Sequence, residues 1–154
     1  MKKKHIIMSI ICLVAVLFLV GCFTKQSITV DEFKSNMEGN GLTLNNIKEE
    51  YGVYEEVVDA NTAILDDKYQ VEFYTFTDEV SSQGFYETRI NEFVPIESTY
   101  KEKYNETGSN YNIYSLTTED VYVYISRVDK TLLYINVNKE YKDEIKDLIE
   151  KLGY

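Results

Sequence analysis

Hydrophobic positions open the chain as one unbroken run, from Ile6 to Val20 with only Ser9 interrupting, behind Lys2, Lys3 and Lys4. After it the spacing becomes periodic. Thr29 followed three residues later by Glu32 is a capping-box pattern. Phe33 and Met37, four apart, share a face of the short helix this predicts, and Gly39-Asn40-Gly41 ends it. Signals conflict from Leu42 to Tyr51, and no element is assigned there. Val53 to Val58 reads as a strand and Asn61 as the start of a turn. Ala63 to Leu65 and Tyr69 to Thr77 read as strands joined through Asp66-Asp67-Lys68. The second of these carries apolar residues on both sides, which predicts an inner strand.

Asp78 starts a second helix in which Tyr86, Ile90 and Phe93 form a buried stripe, ended by Pro95. The charged segment from Pro95 to Asn110 has no clear period and reads as a long mobile loop. Three strands follow, Tyr111 to Leu116, Val121 to Val128 and Thr131 to Val137, with short turns that predict an antiparallel meander. Asn138 is placed to cap a final helix, with Tyr141, Ile145, Leu148 and Leu152 on its apolar stripe and Gly153 at the C-cap position. The order is helix, strands, helix, three-strand meander, helix. No strand and helix alternation builds a parallel sheet, so the expected class is α+β, with helices packed on a mostly antiparallel sheet.

The opening run is 15 residues long, short of the roughly 20 needed to cross a bilayer. With its basic start it reads as an export signal, and it ends in Leu19-Val20-Gly21-Cys22. These four residues resemble the lipobox of bacterial lipoproteins, and the Lys, Asn, Ile and Tyr-rich remainder is similar to small lipoproteins of Gram-positive bacteria. The resemblance implies cleavage before Cys22, a diacylglycerol on its thiol, and a protein held by lipid on the outer face of the cell membrane. The organisation expected is then signal 1–21, lipidated Cys22 with a short tether to residue 27, and one domain over 28–154.

Charge narrows the partners. With Lys2, Lys3 and Lys4 removed, the net charge of −10 becomes −13, which repels nucleic acid and anionic lipid surfaces. The only histidine is His5 and the only cysteine beyond the signal is Cys22, so the domain holds no disulfide, no His base and no Cys nucleophile. No metal site of His or Cys can form, and no cofactor is expected. Ser98-Thr99-Tyr100-Lys101 has the S-x-x-K spacing of serine acyl-enzymes, but Lys130-Thr131-Leu132 does not supply the companion K-T-G. Asp59-Ala60-Asn61 begins like a calcium loop and lacks its later ligands. Acidic pairs are unavoidable in so acidic a chain and carry no information.

Tyrosine is the positive feature, with 14 residues and no tryptophan. Val121, Val123 and Ile125 share one side of a strand and Tyr122 and Tyr124 the other, while Tyr114 and Tyr134 come from its neighbours. Depending on register, these four tyrosines are a candidate binding face for a peptide or sugar, or simply core. Arg127 continues the Val121 side and is a candidate for a buried carboxylate ion pair or a carboxylate-ligand site. Two functions stay open: a non-catalytic binding or adaptor domain for an envelope protein, peptide or glycan, and a carboxylate-based hydrolase acting on cell-envelope glycan. Since cleavage and lipidation both depend on the Cys22 thiol, Cys22→Ala is expected to leave an unprocessed precursor. Mass spectrometry of the membrane fraction checks this, and an intact Met1 on the wild-type protein would refute the lipobox reading.

Overall fold

The computed structural model describes residues 24–154; the signal segment, Cys22 and Phe23 lie outside it. The capping box forms as the pattern requires, with Thr29 and Glu32 satisfying each other's backbone N–H at the start of α1 (Val30–Gly39), which buries Phe33 and Met37 completely. Gly41, at φ 84°, turns the chain into β1 (Thr43–Asn46), and a 3-10 turn (Lys48–Tyr51) follows. Both lie in the stretch to which the local signals assign nothing.

The next strand departs from expectation. Instead of two short strands with a turn at Asn61, β2 runs continuously over Val57–Leu65, with a bulge between Val57 and Asp59. Asn61 is held in the ladder opposite Phe73, its side chain almost fully buried, so strand pairing overrides its turn preference. The hairpin then closes as expected, with Asp66 in the left-handed region at φ 47°, and β3 (Tyr69–Phe76) follows. Asp78 caps α2 (Glu79–Asn91) by accepting from the Ser81 N–H. Pro95 lies in a 3-10 turn (Val94–Thr99).

The segment expected as a long loop instead forms β4 (Glu102–Thr107), paired antiparallel with β5 (Tyr111–Thr117). Four of its six residues, Glu102 to Asn105, are consecutive and exposed, so no alternation marks it, and its backbone bonds to β5 alone create it. β6 (Val121–Val128) and β7 (Thr131–Asn138) complete a meander of four strands, one more than the pattern shows. The final helix also starts later than expected. Asn138 leads into a 3-10 turn (Lys139–Tyr141), and α3 (Lys142–Leu152) begins without a side-chain cap, ending at Gly153 with φ 77°.

All seven strands form one antiparallel sheet in the order β1-β2-β3-β7-β6-β5-β4. β3 is an inner strand, as expected, and its pairing with β7 joins the two meanders. One face carries α1 and α3, with Phe33 stacked on Phe73 at 4.8 Å and Ile145, Leu148 and Leu152 in the same core. The other carries α2 and the first two 3-10 turns over Tyr74, Phe76, Leu116, Ile125 and Leu132. The class is therefore α+β, in three layers. Among the described residues, no helix is long and apolar enough to cross a membrane.

Close packing at the β4–β5 turn gives a test of this arrangement. A Cβ at Gly108 would lie 2.0 Å from Cε1 of Tyr111, whereas one at Gly39 meets nothing within 4 Å. Gly108→Ala is expected to displace the Tyr111 ring and cost about 1–3 kcal/mol in urea unfolding. Gly39→Ala, at the end of α1, should be neutral or stabilise by up to about 1 kcal/mol.

Candidate functional site

Strand register sets out a floor on the α3 side of the sheet. Three rows of cross-strand neighbours run inward from the β4 edge: Glu102, Thr117 and Tyr122; Tyr104, Ser115 and Tyr124; Glu106, Ile113 and Ser126. Because side chains alternate along each strand, all nine face the same way. α3 lays Ile145, Leu148, Ile149 and Leu152 into the core of this face, and its flank, with β4, walls an open groove of about 490 Å³. Ile113, Ser115, Thr117, Tyr122 and Tyr124 make its floor, and Lys142, Lys146, Glu150 and Tyr154 its helix side.

Each end of the groove carries a hydrogen-bonded carboxylate. At one, Lys142 bonds Glu102 across the gap, and its ammonium lies 5.6 Å from the centre of the Tyr122 ring. That bond holds the Glu102 carboxyl below the usual carboxylate range. At the other end, Tyr104 and Tyr111 donate to separate oxygens of Glu106, at 2.5 and 2.6 Å. Glu106 is lowered in its turn, first by Tyr104 and then by Tyr111. Tyr154 closes the floor beneath α3. Since the Thr131 hydroxyl donates to the Val128 carbonyl at 2.8 Å, the Tyr154 hydroxyl is the donor to Thr131.

The four candidate tyrosines do not form one face. Tyr114 and Tyr134 both stand opposite Ile125, so they share its side of the sheet under α2, while Tyr122 and Tyr124 lie on the α3 side. All four are buried. Tyr122 and Tyr124 nonetheless line the groove floor; Tyr114 and Tyr134 do not line it. Arg127 is buried on the α2 side, as its alternation with Ile125 requires, but its partner is not a carboxylate. Register places Asn112 directly across from it, and the guanidinium donates to the Asn112 Oδ1 at 2.9 Å and the Asp129 carbonyl at 3.0 Å.

Arg89 makes the network that Arg127 does not. Its Nη2 donates to the Tyr51 and Tyr74 hydroxyls at 2.9 and 3.1 Å, its Nη1 bonds Glu92 at 2.9 Å, and the guanidinium lies 4.6 Å from the Tyr134 ring centre. Glu72, 3.7 Å from Arg89, accepts from Tyr74 and from Gln70. Alternation in β3 does put Glu72 and Tyr74 on one side, but only the packing of α2 reveals their partner. The network ties α2 to the sheet. Lys101 pairs with Glu119 at 2.8 Å, and Asp59 lies within β2, accepting from Asn46 at 2.7 Å. Neither the S-x-x-K spacing nor the calcium-like run therefore forms a site. Among the described residues, no group of three or more His, Cys, Asp or Glu side chains is arranged to hold a metal ion. Compared with known protein families, curated proteins and solved structures, the chain matches none.

Buried tyrosines make stability depend on alkaline pH. Burial pushes Tyr86, Tyr122 and Tyr134 up to about 12, and also raises Tyr74, Tyr114, Tyr124 and Tyr154. An unfolded chain releases these protons near pH 10, so above that the native state binds more protons and loses stability as pH rises. The melting temperature is expected to hold steady below about pH 9 and to fall steeply between about pH 10 and 12. Tyrosinate absorbance should appear together with unfolding, not before it.

Proposed function

We propose that the protein is a lipoprotein held on the outer face of the bacterial cell membrane through Cys22, and that residues 28–154 form a non-catalytic binding or adaptor domain. Its ligand lies in the groove between α3 and β4. One observation carries this reading: an open groove with a tyrosine and aliphatic floor, hydroxyls at Ser115 and Thr117, and charged groups confined to its rim. Such a surface offers contact area with a few orienting polar groups, which suits an envelope peptide, glycan or protein segment. The acidic surface favours neutral or cationic partners over nucleic acid.

Rim chemistry favours binding over glycan hydrolysis. Glycoside cleavage needs one carboxyl kept protonated as general acid, usually by a raised pKa. Glu102 and Glu106 are both lowered, by Lys142 in one case and by Tyr104 and Tyr111 in the other. Their ionised forms are the stable ones, as suits hydrogen-bonded groups at the ends of a binding groove. The anchor is supported by the residue pattern through Cys22, which lies outside the described residues.

Ser115 sits half-buried in the middle of the floor, between Tyr104 and Tyr124, so a large side chain there fills the groove without entering the core. Thermal melting of residues 24–154 with muropeptides or a lysine-rich peptide tests the reading. A true ligand at about 100 times its Kd stabilises the wild type by about 2.7 kcal/mol. Ser115→Trp is expected to abolish that rise while its own melting temperature stays within a few degrees of wild type. A rise that survives in the variant would remove the groove as the site.

A further inference from the structure

The N-terminal segment is clamped to the domain at Lys25. The Lys25 backbone N–H donates to Asn110 Oδ1 at 3.1 Å, and its carbonyl accepts from Asn110 Nδ2 at 2.8 Å. The Lys25 ammonium lies 5.6 Å from the Tyr111 ring centre. Asn110 is bonded in turn to Asp129, side chain to side chain at 2.9 Å and backbone to backbone at 2.8 Å. The chain therefore leaves the domain beside the β6–β7 turn.

Contacts run from that clamp across one pole of the sheet. The Asp129 carbonyl accepts from the Ser82 hydroxyl, in the first turn of α2, at 2.7 Å. Phe76 N–H donates to the Lys130 carbonyl, and Thr77 N–H to the Glu56 carbonyl, both at 2.9 Å. Exposed apolar side chains gather here. Val80, two residues before Ser82, is 82% exposed; Val53 and Tyr54, just before Glu56, are 85% and 48% exposed; Val58 is 56% exposed. The bulge at the start of β2 leaves Val58 out of the ladder, the usual way a bulge re-aims a side chain. Val94 and Tyr100, also exposed, lie beyond the far end of α2.

We propose that this pole faces the lipid bilayer, and that Val53, Tyr54, Val58 and Val80 enter its headgroup boundary as a second attachment beside the N-terminal one. The inference rests on the anchor in the functional reading above. From Cys22 to Lys25 the chain reaches no more than about 11 Å, so the clamped pole cannot leave the headgroup region. Side chains already held there gain burial at little entropic cost, and an apolar patch adds to a lipid anchor as a second signal. Charge decides the kind of surface. Asp78 and Asp129 are engaged in capping α2 and holding Asn110, but Glu55 and Glu79 are exposed and Glu56 half-buried on the pole that carries Lys130. Those carboxylates disfavour anionic headgroups, so the contact is with neutral, zwitterionic lipid. The groove, lined by both ends of β4 and α3, would stand upright with its Glu102–Lys142 end farthest from the membrane.

The chain has no tryptophan, so Val80→Trp and Tyr100→Trp each place a single indole at an exposed position on opposite poles. The full chain, processed in cells, is purified and reconstituted into phosphatidylcholine vesicles carrying a shallow nitroxide-labelled lipid. Emission from Val80→Trp is expected to shift to the blue and to be quenched at least about twofold more than that from Tyr100→Trp. Equal quenching at the two poles, or stronger quenching of Tyr100→Trp, overturns the proposal. The N-terminal mass of the same preparation tests the anchor separately. An intact Met1 would refute lipidation at Cys22, while the quenching comparison would still decide which pole meets the bilayer, because the chain still arrives at Lys25.

Discussion

Pairing of β3 with β7 is the contact on which the rest of the fold depends, because among the described residues it is the only ladder that joins the two meanders. Val71 stands opposite Ile135, Glu72 opposite Tyr134 and Phe73 opposite Leu133, in the middle of the seven-stranded sheet. Both strands are covered on both faces, which is why their sequences carry apolar residues on both sides. Every helix packs against residues that this ladder aligns: α1 and α3 through Phe73 and Ile135, α2 through Tyr74 and Leu132. Loop-closure cost makes it a late contact in folding, since β3 and β7 lie far apart in the chain.

The groove is a consequence of the same layout. Four strands follow α2, but α3 is a single short helix whose apolar stripe is spent on the central strands. β4 and the middle of β5 keep Glu102, Tyr104, Glu106 and Ser115 open on the α3 side, and the pleat sets buried Ile113 and Thr117 beside them against Tyr122 and Tyr124. Edge position also explains the composition of β4. Charged residues on an exposed edge discourage uncontrolled strand addition, and here Glu102 also bridges to Lys142 of α3 while Glu106 accepts from Tyr104 and Tyr111.

The two arginines show how a charged group is accommodated at different depths. Arg127 is nearly sealed and donates to an amide and a carbonyl, so these contacts bring in no second charge. Arg89 is less enclosed and draws in Glu72, Glu92 and three tyrosines. Removing Glu72 or Glu92 would leave the enclosed Arg89 guanidinium less well compensated, a cost that an exposed surface pair does not carry.

Local pattern alone determined the capping box at Thr29, the apolar stripes of α2 and α3 except Phe93 and Tyr141, which fall just outside the helices, the three strands from Tyr111 onward and the turn through Asp66-Asp67-Lys68, since each depends on residues within one or two turns of each other. It also established the acidic character and the absence of His and free Cys from the domain, which are properties of composition. Tertiary structure decided what no local signal carries. It made a strand of Glu102–Thr107, where only the backbone of β5 supplies the reason. It also held Asn61 within a continuous β2, because pairing with β3 outweighs that residue's preference for a turn. Register split Tyr114 and Tyr134 from Tyr122 and Tyr124, and the packing of α2 gave Arg89 its partners. Alternation says which side of its own strand a side chain takes, but which helix covers that side is set by contacts between residues far apart in the chain.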